Sequence, residues 1–212
     1  MKKLTELAKQ DPRIKKVYDY SKKKYDEADL PQHNFEHVIR DLFRALVIAD
    51  TEEDVNYSVL VSAVLLHDIG ATEDDYWKHV ETGPKIVERN LPELGFNEDE
   101  IEKIAHCVAS HSRKSKIKPE TIEAKILCDA DKLEKSDLPN LFTTSRFFTE
   151  MGCSLKKSLE LFSDGKRDSD FFTKEAYRID NGGIEKVDKI REDMIRILKT
   201  RKDFLATEED VW

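Results

Sequence analysis

The stretch VLVSAVLLHDIG, residues 59–70, decides the fold. Apolar residues occupy almost every position before the histidine, so the helix they predict, residues 54–66, should lie in the core and not at the surface. His67 and Asp68 follow directly, and both side chains are strongly polar. Gly70 stands just beyond them, where a left-handed residue commonly closes a helix. The stretch therefore predicts a buried helix that ends on two polar groups.

Composition favours a helical architecture. The chain has 212 residues, enough for one domain with a sizeable core. Only 7 glycines and 6 prolines occur among abundant lysine, glutamate, leucine and isoleucine, which favours an all-α fold over a turn-rich β architecture. We expect an all-α, single-domain helical bundle that spans residues 1–212.

Charge, cysteine content and hydropathy limit the classes of protein that fit. A formal net charge of −8 makes duplex nucleic acid an unfavourable partner. Cys107, Cys128 and Cys153 form no CxxC pair, so they indicate small buried residues instead of a zinc knuckle or a disulfide framework. No apolar run reaches the roughly 20 residues of a membrane span, and the N-terminus lacks the apolar segment of a secretory signal. The default expectation is a reducing, cytoplasmic setting without a membrane.

Helical spacing of apolar residues predicts further helices on both sides of the core helix. They cover residues 2–28 (one or two helices around Asp11-Pro12), 35–49, 77–90, about 97 towards 111, 119 to about 133, and 183–199. Leu91-Pro92 is expected to follow the end of the helix over 77–90. Asn97 with Glu100 is typical of a capping box at a helix start. Asp164-Gly165 and Asn181-Gly182-Gly183 are turn signals.

Potential metal ligands are concentrated in the first two thirds of the chain. All six histidines lie between positions 33 and 111. His37 falls in the middle of a helix among apolar neighbours, and Asp131 lies inside an otherwise apolar helix. A carboxylate in such surroundings is costly unless a cation or hydrogen bonds replace its lost hydration. Imidazole with carboxylate is a ligand set that Zn, Mn, Fe and Ni all accept.

The pattern His37, then His67-Asp68, then Asp131 resembles the H…HD…D signature of the HD-domain superfamily of metal-dependent phosphohydrolases. The contexts that carry the resemblance are HNFEHVIRD, AVLLHDIG and ILCDADKLE. It covers residues of about 30–135, and leaves about 136–212 as a C-terminal helical extension. It implies that the four ligands converge on one cation from separate helices.

The resemblance extends to a second metal. KHVETGPKI and VASHS are similar to segments of two-metal members of the superfamily, which implies that His79 and His111 bind a second ion and that Asp68 bridges the two. Members with one metal also often keep a histidine near position 111, so one or two ions per chain stay open. His33 is a candidate for a residue that orients a metal ligand without binding the metal itself.

The other polar residues near these motifs are assigned differently. Asp129 does not match the motif, and His106 is expected to be a partly exposed helix residue.

The implied chemistry is hydrolysis by a metal-activated water, with Mn, Fe, Ni, Zn, Co or Mg as the divalent ion. Asp68 would serve as a ligand and would also orient or deprotonate that water. Arg40 and Lys132 are the candidates for holding the substrate phosphate, with Lys78 and Arg113 as further candidates.

The expected substrate is a phosphorylated small molecule, either a phosphomonoester or a phosphodiester, plausibly a nucleotide. Two alternatives stay open: a di-iron, oxygen-dependent oxidative enzyme of the HD type, and a non-enzymatic sensor that binds a nucleotide. A homodimer is compatible with the sequence.

Overall fold

The structure, a computed structural model, describes residues 3–73, 78–112, 115–164, 170–206 and 210. Throughout these ranges the regular elements are α-helices and short 3-10 turns, without a β-strand, so the all-α prediction is confirmed. The α-helices in chain order are α1 Leu4–Gln10, α2 Arg13–Ala28, α3 Phe35–Ala49, α4 Tyr57–Leu66, α5 His79–Leu94, α6 Glu98–Ser110, α7 Ile122–Lys132, α8 Pro139–Glu150, α9 Leu155–Asp164, α10 Lys174–Asp180 and α11 Gly183–Thr200. Arg113 and Gly165, which carried two of the predictions, lie outside the described residues.

Helix α4 is the central element of the bundle, as the sequence predicts. Every residue from Val59 to Leu66 is buried. The helix begins after Asn56, whose side chain accepts hydrogen bonds from the backbone N–H groups of Ser58 and Val59. Helices α2, α3, α6 and α7 all pack against it. Because α4 is enclosed by its neighbours, the residues after its C-terminal end are delivered into the interior.

Two predicted helix boundaries are wrong or shifted. The helix over 77–90 does not stop before Leu91-Pro92, because α5 continues through Pro92 to Leu94 and is capped by Gly95, which has a left-handed φ of 96°. The helix expected from Pro119 begins at Ile122 instead. Thr121 provides the N-cap there, since its hydroxyl accepts a hydrogen bond from the backbone N–H of Ala124.

Gly70 does not close α4 as a left-handed residue. It lies in a 3-10 turn, Ile69–Thr72. A Cβ atom at this position would lie 2.3 Å from the carbonyl oxygen of His79 and 2.8 Å from the backbone nitrogen of Gly83. The absence of a side chain is therefore required by the close approach of α5 and not by backbone conformation. This approach sets the start of α5 directly beside Asp68.

Two other local signals are confirmed. Asn97 and Glu100 form the reciprocal capping box at the start of α6, with N–O distances of 3.0 and 3.1 Å. Asn181 and Gly182 both have positive φ, of 45° and 75°, in the turn before α11. Gly183, the third residue of that turn signal, is the first residue of α11.

Both ends of the described chain join the central core. Leu7 and Ile14 from the N-terminal helices and Ala176 and Ile184 from the C-terminal helices belong to the same buried apolar cluster as α4. A smaller cluster forms around Phe148, Phe162 and Val187 in the C-terminal region. The packing is that expected for one domain, although its proposed boundaries stay a prediction.

The three cysteines lie at buried or half-buried positions. Cys107 and Cys128 are buried, Cys153 is partly buried, and all three are free thiols. Burial raises the pKa of Cys107 and of Cys128 to about 12.

Within the described ranges, none of the helices has the length and apolar character needed to cross a bilayer.

Candidate metal centre

Seven imidazole and carboxylate side chains converge at the buried ends of several helices. They fall into two groups, one of four residues and one of three. Each residue offers one ligand atom to its group. The first group is His37, Asp41, His67 and Asp131, and the second group is Asp68, His79 and His111. The structure thus brings together all six residues predicted as ligands, together with Asp41, which was not predicted.

The first group is organised around the imidazole of His37, on the first turn of α3. Its Nε2 atom lies 3.3 Å from Nε2 of His67, 3.2 Å from Oδ2 of Asp41 and 3.7 Å from Oδ1 of Asp131. Oδ2 of Asp68 lies 3.4 Å from the same atom. These distances are close to the roughly 3 Å between neighbouring ligand atoms of a divalent ion with bonds of about 2.1 Å.

The second group uses the other oxygen of Asp68. Oδ1 of Asp68 lies 3.3 Å from Nε2 of His79 and 3.3 Å from Nε2 of His111, and those two nitrogens lie 3.4 Å apart. Asp68 is 3% exposed and stands between the two groups, with one oxygen directed at each. A carboxylate in this position can bridge two cations.

Hydrogen bonds to the backbone orient two of the histidines. Nδ1 of His67 lies 2.8 Å from the carbonyl oxygen of Val64, and Nδ1 of His111 lies 2.6 Å from that of Val108. A carbonyl only accepts, so Nδ1 carries a proton in both rings and Nε2 is the atom directed at the cluster, where it presents a lone pair once the ring is neutral. Orientation of this kind is typical of histidines that bind metals.

The electrostatics of the cluster favour a cation. Among the groups joined by short contacts, four buried or half-buried carboxylates outnumber two guanidinium groups; these groups are Asp41, Asp68, Asp131, Glu134, Arg40 and Arg44. Burial raises the pKa of Asp41 to about 6. Burial alone would lower the pKa of His67, but Asp68 and Asp41 outweigh it and raise that pKa to about 9. The donor set therefore fits a divalent ion, while the individual role of each ligand stays a prediction.

Asp41 is the ligand candidate that the sequence reasoning missed. It lies four residues after His37 on α3 and is 0% exposed. The signal was present in the sequence, because positions i and i+4 share one helix face. An aspartate on the apolar face beside a predicted ligand carries the same unfavourable burial that singled out Asp131.

The predicted phosphate-binding cations are largely engaged by the protein. Arg40 donates to Oε1 of Glu134 at 2.6 Å. Lys132 donates to the carbonyl of Asp170 and lies 5.2 Å from the centre of the Phe171 ring, so its position is explained by packing. Lys78 is exposed at the residue before α5.

Lys135 is a further cation near the site. Burial tends to raise the pKa of Asp131, but Lys135 and the neighbouring histidines reverse this and lower it. Lys135 itself is exposed to solvent beside Asp131.

His33 is held beside the cluster by the C-terminal extension. Its Nδ1 atom lies 2.5 Å from Oε1 of Glu150, at the end of α8, and its Nε2 atom lies 3.9 Å from Oδ2 of Asp68. Oε2 of Glu150 also accepts the backbone N–H groups of Gln32 and His33. No sequence pattern indicated Glu150, since it lies outside the motif region.

Two residues set aside by the sequence reasoning do lie away from the cluster. The carboxylate of Asp129 caps the segment before α10, where it accepts hydrogen bonds from the backbone N–H groups of Phe172 and Thr173. His106 is half-buried on α6, and its Nε2 accepts from the backbone N–H of Glu120.

The motif region coincides with a known family. The family model for the HD domain matches residues 34–136, which include both ligand groups. The chain contains an HD domain. The matched region excludes His33 and Glu150, so the contact between them joins two segments outside the HD domain as matched. No curated protein sequence matches the chain.

Solved structures share the fold over most of the chain. A predicted HD superfamily hydrolase from an uncultured Thermotogales bacterium has 22% identity and a TM-score of 0.65, covering 92% of this chain and 98% of its own. A Lactobacillus plantarum protein has 13% identity and a TM-score of 0.75, covering 90% and 98%. Bacillus subtilis YpgQ, in complex with ADP, has 16% identity and a TM-score of 0.58, covering 90% and 99%. At these identities the likeness concerns the fold.

Proposed function

We propose that this HD-domain protein is a metal-dependent phosphohydrolase that cleaves a phosphomonoester or phosphodiester of a nucleotide or a related small molecule. The observation that carries the proposal is the position of Asp68, whose two oxygens face two separate groups of histidines. A divalent ion held by either group would activate a water molecule and polarise a phosphoryl oxygen. The first ion would be held by the first group together with Asp68, and the second ion by Asp68, His79 and His111.

The side chains around the cluster supply proton transfer. His33 is fixed at Nδ1 by Glu150, so the other ring nitrogen faces Asp68 at 3.9 Å. A histidine held by a carboxylate in this way can deliver a proton to the leaving-group oxygen. Asp68 would accept a hydrogen bond from the attacking water and so orient it.

Cations at the edge of the site support the choice of a phosphorylated substrate. Arg40 has a side chain 38% exposed beside Glu134, and Lys135 is exposed beside Asp131. Either side chain can reach an anionic group in solvent, and charge-assisted contacts to phosphate are strong. Lys132 is a weaker choice, because the Asp170 carbonyl already accepts from it.

The nucleotide part of the proposal draws support from a structural neighbour. YpgQ, which shares the fold, has been crystallised in complex with ADP. The identity is 16%, so this supports nucleotides as the first substrates to try and does not identify one. We further propose that the protein is cytoplasmic and forms a homodimer.

A di-iron oxidative enzyme is the second candidate, because two histidine groups that share one carboxylate also suit two iron ions. The two functions differ in their need for oxygen. Iron content and product formation measured with and without oxygen separate them, since phosphate ester hydrolysis proceeds equally in both conditions.

The main proposal is tested by phosphate release from an aryl phosphate and from nucleoside mono-, di- and triphosphates. Metal-free protein is assayed alone and with Mn²⁺, Co²⁺, Ni²⁺ or Mg²⁺. We expect activity only with metal, and a loss of at least about 100-fold in Asp68→Asn. Asp129→Asn, which removes a buried charge outside the cluster, should retain activity. Unchanged activity in a folded Asp68→Asn variant would contradict the site assignment.

A further inference from the structure

Asp41 presents an unsatisfied oxygen to the first ligand group. Its Oδ1 atom is fixed by Nη1 of Arg44 at 2.7 Å. Its Oδ2 atom is buried and, within the part of the chain that the structure describes, receives no hydrogen bond of suitable geometry. A buried carboxylate oxygen without a donor is costly, so a group that the protein itself does not supply is expected to compensate it.

The surroundings of Oδ2 indicate what that group is. Oδ2 lies 3.2 Å from Nε2 of His37 and 3.6 Å from Nε2 of His67. His67 uses Nδ1 to donate to the Val64 carbonyl, so its Nε2 is the atom that faces Oδ2. A deprotonated Nε2 and Oδ2 would repel each other across this distance, so a proton in the metal-free protein, or a metal ion that displaces it, would lie between them. The geometry is that of two ligands of one cation.

We propose that Asp41 is an additional ligand of the ion in the first group, which makes that site favour a six-coordinate divalent ion over a four-coordinate one. This inference rests on the proposed metal centre. The five donors would be two nitrogens and three oxygens, from His37, His67, Asp41, Asp68 and Asp131. Catalytic zinc sites usually offer three protein ligands and structural ones four. Five protein donors would exceed both numbers, so the site would suit an ion that takes up to six ligands.

Arg44 and Glu134 fix the orientation that the proposal needs. Nη2 of Arg44 lies 2.6 Å from Oε2 of Glu134, while Nη1 of the same guanidinium holds Asp41. Arg40 in turn donates to Oε1 of Glu134. Arg44, which also pairs with Glu134, thus fixes the Asp41 carboxylate through Oδ1 and leaves Oδ2 directed at the ligand cluster.

The two groups differ in the number of donors that they offer to an ion. Five protein donors would leave one open position on a six-coordinate ion in the first group. The second group offers three donors, from Asp68, His79 and His111, and leaves more positions open. The second site would therefore have more room for a phosphoryl oxygen of the substrate.

The test is Mn²⁺ binding without substrate, measured on metal-free protein by the electron paramagnetic resonance of free Mn²⁺. We expect wild type to bind one ion tightly and a second less tightly. Asp41→Asn should weaken the tight site by about 100-fold and leave the other affinity unchanged. The matched control is Asp129→Asn, which removes an equally buried charge. Wild-type affinity in Asp41→Asn, or an equal loss in the control, would overturn the proposal.

A second measurement tests the proposal on wild-type protein alone. One equivalent of Co²⁺ at the tight site should give the weak visible absorption of a six-coordinate ion. Intense absorption, typical of four-coordinate Co²⁺, would overturn the role of Asp41 even if the variant did not fold. Failure of wild type to bind either metal would instead contradict the proposed function.

Discussion

Nδ1 of His33 lies 2.5 Å from Oε1 of Glu150, although 117 residues separate the two in the chain. The contact joins the loop before α3 to the end of α8. It fixes the imidazole so that its other nitrogen faces Asp68. The region after the HD domain thus contributes directly to the candidate site.

We predict that Glu150→Gln lowers kcat by about 10- to 100-fold without changing metal content. The amide keeps the size of the side chain but removes the charge that stabilises protonated His33. Burial alone would raise the pKa of Glu150, yet the hydrogen bond and charge of His33 lower it, so Glu150 carries a charge that the amide lacks. Steady-state kinetics and elemental analysis measure kcat and metal content. Wild-type kcat in a folded Glu150→Gln variant would argue against a role of this contact in proton transfer.

We predict that His79→Ala reduces bound metal from two ions per chain to one, because the second group keeps only Asp68 and His111. Elemental analysis after dialysis measures this directly. His106→Ala is the matched control, since that histidine contacts the backbone of Glu120 away from the cluster. If His79→Ala bound as much metal as wild type, the second site would be refuted.

We predict that metal affinity rises with pH up to about 9. Burial disfavours charge on His67, but Asp68 and Asp41 raise its pKa to about 9, above the ordinary 6.5. Below pH 9 the metal-free protein holds a proton there that a metal must displace, so binding releases it. Competition with a metal-sensitive dye between pH 6 and 9 measures the trend. Affinity that is flat over this range would contradict it.

We predict that Gly70→Ala disturbs the second group by moving α5. The added Cβ would lie 2.3 Å from the His79 carbonyl oxygen, and backbone atoms cannot give way as side chains do. We expect a stability loss of about 1–3 kcal/mol and weaker binding of the second metal. Denaturant unfolding and metal titration check both effects. A variant with wild-type stability would show that the contact is not required.

We predict that Arg13→Met costs about 1–2 kcal/mol of stability. Its guanidinium lies 2.7 Å from both Asp11 and Glu100 and 4.4 Å from the centre of the Phe96 ring, which ties α2 to the start of α6. Hydrogen bonds from Arg13 lower the pKa of Asp11 from 3.8 to about 2. This contribution is present above pH 3.8 and is lost as the pH falls towards 2. The difference from wild type in urea unfolding should therefore shrink at low pH.

Local and periodic features could be predicted from the sequence. The nearly all-apolar run of α4 predicted a buried helix, and the Asn97–Glu100 pair predicted a helix start. Both depend on interactions within a few residues, which sequence order specifies directly. The six predicted ligands came from the resemblance of several motifs, between about residues 30 and 135, to the HD-domain superfamily, and the structure brings these six residues together.

Only the tertiary structure decided the features that depend on approach between distant segments. Gly70 was expected to end a helix, yet its role is set by the backbone of His79, which approaches it from α5. Glu150 reaches His33 because α8 packs back across the site, and no local pattern encodes that. Asp41 shares a helix face with His37, but only the fold shows its Oδ2 buried among ligands. Local sequence fixes which residues form a helix, whereas the burial and partners of each side chain depend on where the other helices pack.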